Sequence, residues 1–306
     1  MFKTVKISIV GRVQGVGFRP FIFQLAHELG LKGTVQNNMD GVEVFVEGKI
    51  AQVELFLQSI EQQAPRLSRI DKMVVHKECA KGFKDFSIIE SRREGTSQLV
   101  IPVDAAICED CLAEMNNPLN FRYHYPFITC TQCGPRYTII DALPYDRPFT
   151  SMANFKLCPN CEKEYNDPMD RRHHAQPIAC PKCGPHISLV SHDGSIVAEY
   201  DEALKRAGQL LLEGKILAVK GIGGFHLCCD ASNDEAVARL RNRKKRPNRP
   251  LAVMGFSIDD VKEFAVVSAL EEKMLKSPEA PIVILAKKSD YHLAENVAPN
   301  MTTIGV

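Results

Sequence analysis

The sequence predicts an α+β multidomain chain of three consecutive units, and three observations predict it. Over the first 91 residues the hydropathy pattern runs strand, helix, strand, strand, helix, strand. Residues 100–187 lose apolar periodicity and instead carry four C-x-x-C pairs, arranged as two copies 50 residues apart. From residue 195 short apolar runs alternate with amphipathic stretches, the pattern of an α/β unit.

In the first unit, residues 4–10 alternate apolar and polar as a half-buried strand does, and residues 21–29 have helical spacing ended by Gly30. Strands are expected at 33–36 and 42–47 around an Asp40-Gly41 turn, a second helix at 50–63, and final strands at 71–76 and 85–89. That order is the ferredoxin-like βαββαβ arrangement. Between its first strand and helix lies GRVQGVGFRP, residues 11–20. Its glycines suit a plain turn. They equally suit a loop whose backbone N–H groups converge on an anion, with the helix N-terminus adding partial positive charge. Arg19 stands where it can grip phosphate oxygens in bidentate fashion.

The second unit is rich in Cys, Pro, Tyr and Arg and cannot bury much core, so something else must hold it. Its pairs are Cys108/Cys111, Cys130/Cys133, Cys158/Cys161 and Cys180/Cys183, with eighteen residues between the pairs of each copy. Glu114 aligns with Glu164, Arg122 with Arg172, His124 with His174, and both copies end Cys-Gly-Pro. Two C-x-x-C turns close a tetrahedron around Zn²⁺, so the eight thiols predict two structural Cys₄ zinc sites of zinc-finger type with no open position for catalysis. One site per copy and interleaved pairs both satisfy the spacing. His124 and His174 are expected to pack rather than ligate. Cys79, Cys228 and Cys229 are expected to be ordinary buried thiols.

In the third unit, helices are expected at 200–214, 233–245 and 258–264, and strands at 216–220, 251–254 and 281–286, the first of these strands buried. Lys220-Gly221-Ile222-Gly223-Gly224-Phe225-His226 follows that strand, and the basic run RNRKKRPNRPLAVM begins at Arg241. A glycine-rich loop with clustered Lys and Arg suits a nucleotide or a carbamoyl-phosphate-like anion. The chain ends at Val306 with no terminal helix or polar tail, and a cut inside or just past this unit is expected.

Composition narrows the function classes. The 306 residues are 45% hydrophobic and 25% charged, with formal charge +1, so there is room for two or three cores and no global pull toward nucleic acid or membrane. No apolar run spans a bilayer, and MFKTVKISIV lacks the core and cleavage site of a signal peptide. Eleven cysteines in such a chain point to metal rather than disulfides, and a cytoplasmic location is expected.

Residues 11–19 together with Gly33-Thr34-Val35-Gln36-Asn37 resemble the acylphosphatase family. The resemblance implies a phosphate-binding loop of Val13, Gln14, Gly15, Val16, Gly17 and Phe18, with Arg19 holding the phosphate and Asn37 orienting the attacking water; a turn residue is the other reading of Asn37. Lys220, Lys244, Arg246, Pro247, Pro250 and Leu251 match the YrdC-like family, which implies nucleotide or carbamoyl binding through Lys220, Lys244 and Arg246, with His226 a further candidate.

The order of the three units resembles the N-terminal part of the HypF family, the carbamoyltransferases of nickel–iron hydrogenase maturation. GRVQGVGFRPF, YPFITCTQCGPRYTII, LPYDRPFT, HAQPIACPKCGP, VKGIGGFHLCCD and RPLAVM carry that resemblance. It implies cleavage of carbamoyl phosphate in a domain at 1–91, tandem zinc-finger-like repeats at 100–187, and condensation with ATP, accompanied by Mg²⁺, to carbamoyl-adenylate in a YrdC-like domain at 195–306. It further implies delivery of the carbamoyl group to the C-terminal cysteine of a HypE-type acceptor protein by a domain this chain lacks, as a step toward the cyanide ligand of the hydrogenase. Two other readings stand beside it: an acylphosphatase on a zinc scaffold, and a non-enzymatic zinc module that binds RNA or a client protein through Arg241–Arg249.

Overall fold

A computed structural model describes residues 2–90, 103–142 and 145–306. Residues 91–102, which hold the expected domain edges at 91 and 100, and Leu143–Pro144 of LPYDRPFT lie outside the described residues. The chain divides into two units, Met1–Pro185 and His186–Val306. Among the described residues no helix is long and apolar enough to cross a membrane.

The first unit opens with the expected element order: β1 (Phe2–Arg12), α1 (Phe18–Glu28), β2 (Lys32–Asn37), β3 (Gly41–Lys49), α2 (Ile50–Gln62), β4 (Arg69–Lys77) and β5 (Phe86–Ile88). The sheet order is β4-β1-β3-β2-β5, antiparallel throughout except that β5 runs parallel to β2 at the edge. Alternation sets the register: Ile7 stands opposite Val44 on β3 and Val75 on β4. Val5, Ile7, Ile9, Val42, Val44 and Val46 share one core with Ile22, Leu25, Val53, Phe56 and Ile60 of the two helices, so apolar burial fixes which face the helices cover.

The cysteine region folds on α3 (Glu109–Met115) and α4 (Pro159–Asn166), each capped by the first cysteine of its copy, Cys108 and Cys158. Between them lie short 3₁₀ turns at Tyr137–Ile139, Arg147–Phe149 and Ser151–Asn154. Two separate small cores form, one around Cys108, Tyr125, Ile128 and Met152, the other around Cys158, Ala175 and Ile178.

The second unit begins with a hairpin of β6 (Ser188–Val190) and β7 (Ile196–Glu199), placed largely in the interval left unassigned between 187 and 195. It continues with α5 (Tyr200–Leu212), β8 (Leu217–Gly221), β9 (Gly224–Cys228), α6 (Asp234–Lys244), α7 (Ile258–Phe264), β10 (Ala265–Val266), α8 (Ala269–Leu275), β11 (Ile284–Lys287) and β12 (Thr303–Gly305). Gly214 caps α5 in the left-handed region at φ 74°. The core gathers Val237, Val261, Phe264, Leu285, Val297 and Ile304.

Several sequence expectations are corrected here. The strand at 216–220 is not buried: β8 pairs with β9 alone as a two-stranded ribbon, and Val219, Phe225 and Leu227 remain exposed. Residues 251–254 make no strand, only a parallel bridge from Ala252 to Gly305. The strands of this unit pair antiparallel within short sheets, because each apolar run finds a near neighbour in sequence before a distant parallel one. Cys79 is exposed and Cys228 and Cys229 are half-buried. The helix α8 passes unnoticed in the sequence despite its Ser268–Glu271 capping box, because it buries no residue and so has little apolar periodicity.

Candidate functional site

The glycine loop is built on backbone that only glycine adopts without strain. β1 shifts register between Val10 and Gly11, and a Cβ on Gly11 would lie 2.1 Å from the Arg69 carbonyl oxygen. Gly15 and Gly17 take φ 68° and 76°, which turns the chain back into α1. Val13 and Val16 anchor the loop in the core. The Gln14 side-chain amide donates to the carbonyls of Asn38 (2.8 Å) and Gly41 (2.6 Å), fastening the loop to the β2–β3 turn. Arg19 then falls in the first turn of α1, where the helix dipole favours negative charge.

Arg19 and Asn37 line one cavity with Val13, Gln14, Gly15, Gly17 and Phe18. Of the expected loop residues only Val16 does not line it, its side chain being spent in the core. Burial pushes the Arg19 guanidinium below its ordinary pKa, with Asp146 and Tyr165 pulling it back. The turn role falls to Asn38, whose Oδ1 accepts from the backbone N–H of Asp40 (3.0 Å) and Gly41 (2.8 Å). Asn37 is therefore free of it. Its Oδ1 is buried in the cavity without a protein partner.

Nothing in the sequence points to the opposite wall, because it comes from residues more than a hundred positions away: Thr131, Arg136, Tyr145, His173, His174, Ala175 and Gln176. Arg136, 1% exposed, joins the two halves. Its guanidinium donates to the carbonyls of Gly15 (2.7 Å), Cys133 (2.9 Å), Pro135 (2.8 Å) and Cys130 (2.9 Å). Gly17 abuts the same wall, since a Cβ there would stand 2.8 Å from Thr131. Arg136→Leu removes the guanidinium donors to four carbonyls and is expected to cost about 3 kcal/mol or more in chemical denaturation; an unchanged midpoint contradicts this account of the joint.

The eight array cysteines form two sets, Cys108, Cys111, Cys130 and Cys133, then Cys158, Cys161, Cys180 and Cys183, with all sulfurs of a set within 4.8 Å of one another. This resolves the pairing as one site per copy. Sulfur separations of 3.7 and 3.9 Å in the first set and 3.7 and 3.6 Å in the second suit a tetrahedral Zn²⁺, whose 2.3 Å Zn–S bonds imply edges of about 3.8 Å. The first two cysteines of each set lie at the N-cap and first turn of α3 or α4, where the dipole favours thiolate. The two sites are structural.

The copies are interlocked. Arg122, 0% exposed, donates to Glu164 (2.5 and 3.0 Å), the Ala179 carbonyl (2.8 Å) and Cys161 Sγ (3.3 Å) of the other copy. Arg172 returns the exchange to Glu114, the Thr129 carbonyl (3.0 Å) and Cys111 Sγ (3.8 Å). His124 and His174, at φ 56° and 53°, close the loops after α3 and α4 by donating backbone N–H to Met115 and Tyr165. His124 stacks on Tyr123 and His174 packs at a tilt against Tyr165, and neither belongs to a sulfur set.

In the second unit the glycines of 221–224 serve the two-residue turn of the β8–β9 hairpin, which carries Lys220 and His226. Lys220 lies over the Phe225 ring at 5.9 Å. Lys244 ends α6 and Arg246 follows it. Among the described residues no hydrogen bond or ion pair joins Lys220 or His226 to Lys244 or Arg246. Arg241 is not available for RNA: buried to 7% exposure, it donates to the carbonyls of Arg246 (2.9 Å), Pro247 (3.1 Å), Arg249 (3.2 Å) and Val297 (3.1 Å), and so shapes the basic loop.

Comparison with known proteins finds three family models along the chain. Family models match at residues 5–88 (Acylphosphatase), 107–140 and 157–190 (HypF finger), and 209–306 (Telomere recombination, the Sua5/YciO/YrdC model). A carbamoyltransferase HypF of Synechocystis sp. is 49% identical over 306 residues, 100% of this chain and 40% of the relative. An acylphosphatase of Thermus thermophilus is 44% identical over 81 residues, 26% of this chain and 91% of the relative. A crystal structure of full-length HypF in a phosphate- and nucleotide-bound form superposes with TM-score 0.91 at 45% identity, covering 100% of this chain and 40% of that one. The chain thus spans about two-fifths of the length of the full-length relatives it matches.

Proposed function

The chain belongs to the HypF carbamoyltransferase family, and from that premise we propose that its first unit cleaves carbamoyl phosphate. One observation carries the reading: Arg19 and the unpartnered Asn37 Oδ1 converge in a cavity ringed by loop backbone at a helix N-terminus. The loop N–H groups and the Arg19 fork hold the phosphoryl oxygens and stabilise charge on them in the transition state. Asn37 Oδ1 accepts a hydrogen bond from a water and aims its oxygen at phosphorus. The new P–O bond forms as the bond to the acyl oxygen breaks, and the water's second proton passes to a phosphate oxygen. Carbamate leaves because it is already a good leaving group, so no covalent nucleophile is needed.

The Cys₄ sets hold Zn²⁺ for folding, and no chemical step runs through them. In the second unit Lys220, His226, Lys244 and Arg246 are proposed to meet ATP, with Mg²⁺, and the carbamate, giving carbamoyl-adenylate. The modules on this reading are 1–91, 100–187 and 195–306, working in the cytoplasm. Transfer to a HypE-type acceptor belongs to the longer relatives and is proposed only for a protein that includes their remaining length. Support comes from the match to the longer carbamoyltransferases along the whole chain.

Asn37→Ala is expected to lower kcat for carbamoyl phosphate about 10²-fold with KM little changed, since a water-orienting group acts on the chemical step. Phosphate release measured against substrate concentration checks it, and an unchanged kcat removes Asn37 from the mechanism.

A further inference from the structure

The cavity holds more unpaired polar atoms than phosphate and water account for. Besides Asn37 Oδ1, the Tyr145 hydroxyl and His173 Nδ1 are buried there without partners. A buried polar group left unpaired costs about 1–3 kcal/mol, so three converging on one cavity call for a ligand. Three other polar side chains of that wall, those of Gln176, Thr131 and Arg136, are already committed. Gln176 Oε1 accepts from the Arg147 N–H and the Tyr165 hydroxyl, and its Nε2 donates to the His174 carbonyl. Thr131 donates to the Arg171 carbonyl, and Arg136 is spent on four carbonyls. Tyr145 and His173 stay available, and both come from the cysteine region.

Their chemistry is matched to one kind of acyl group. His173 is neutral at working pH, because burial, then the charges of His174 and Arg19, hold its pKa down to about 4. A neutral imidazole presents an acceptor nitrogen. Tyr145 keeps its proton, its pKa pushed up to about 12 by burial, and its hydroxyl both donates and accepts. A carbamoyl group offers a carbonyl oxygen and two N–H donors. An acetyl group offers the carbonyl alone and leaves the His173 acceptor orphaned.

Resting on the acyl-phosphate reading of this cavity, we propose that Tyr145 and His173 are specificity-determining residues: they receive the acyl end of the substrate and select an acyl phosphate bearing N–H donors over one that has none. The cysteine region is then part of the substrate site as well as a scaffold. A site built to pair a substrate N–H rejects the analogue lacking it, because its own buried group goes unpaired.

The test compares kcat/KM for carbamoyl phosphate and acetyl phosphate on the full chain, with zinc content confirmed for each variant. The wild type is expected to prefer carbamoyl phosphate, and Tyr145→Phe and His173→Leu each to lower the carbamoyl-to-acetyl ratio about tenfold, the weight of one hydrogen bond. His173→Gln, which restores an acceptor, is expected to recover part of the ratio. Tyr145→Phe removes a single oxygen and keeps the test decisive should His173→Leu fail to fold. A wild type without preference, or variants that slow both substrates in proportion, overturns the specificity role while leaving the hydrolytic reading intact. Hydrolysis of neither substrate by the wild type overturns both.

Discussion

Arg19→Ala is expected to reduce carbamoyl phosphate hydrolysis by about 10³-fold or more while zinc content stays at the wild-type level. Removing one donor from an oxyanion-type site costs about 10²–10³ in rate, and Arg19 supplies a charge as well as a fork. The side chain sits in the first turn of α1, burial lowers its pKa, and Asp146 and Tyr165 oppose that shift. Among the described residues no other basic side chain lining the cavity can replace it, since Arg136 is held by four carbonyls and the neighbouring His173 and His174 are neutral, each with its pKa held near 4 by burial. Arg19→Lys is expected to recover only part of the rate, because an ammonium keeps the charge but not the planar fork. Wild-type hydrolysis by Arg19→Ala would falsify the assignment of the site.

Elemental analysis is expected to return about two zinc ions per chain, and loss of either is expected to loosen the other. The reason lies in the exchange of arginines. Arg122 of the first copy bonds Cys161 Sγ and Glu164 of the second, and Arg172 of the second bonds Cys111 Sγ and Glu114 of the first. Each buried guanidinium thus offsets thiolate charge at the opposite site. Cys161→Ser should empty the second site and speed zinc release from the first, followed with a chromophoric chelator. Arg122→Leu leaves Glu164 only its longer ion pair with Arg172 (3.7 Å) and should cost about 3 kcal/mol. Two zinc ions released independently, with the remaining site unaffected by Cys161→Ser, contradict the interlock.

Much of this molecule is readable in one dimension because its signals are local. Alternation over β1 and β3, helical spacing over α1 and α2, and Asp40-Gly41 between strands each arise within a few residues, and the first unit's fold follows from them. The 50-residue duplication is likewise visible as a pattern, and it specifies ligand type and number. Glycine placement at 15 and 17 suits a plain turn and an anion loop equally in the sequence, and only its setting and the acylphosphatase resemblance favour the second. In the second unit the local signal misleads. ILAVK looks like a buried strand, yet burial depends on what covers it, and in the structure only β9 pairs with it.

By itself the sequence indicated the order of modules and the eight thiols as zinc ligands, and through its resemblance to acylphosphatases it put forward Arg19 and Asn37 as candidates for binding an acyl phosphate. Tertiary structure alone decided which cysteines share a metal, that the two copies trade arginines, and that Asn38 rather than Asn37 makes the turn. It also decided that the cysteine region walls the cavity of Arg19 and Asn37 with Tyr145 and His173. The physical reason is common to the metal pairing, the exchange of arginines and the cavity wall. Spacing along the chain encodes contacts closed within a turn or a hairpin, whereas hydrogen bonds from Arg136 to Gly15 or from Arg122 to Glu164 join residues 121 and 42 positions apart. Such pairs exist only once apolar burial and metal ligation have packed the chain, so no local pattern foretells them.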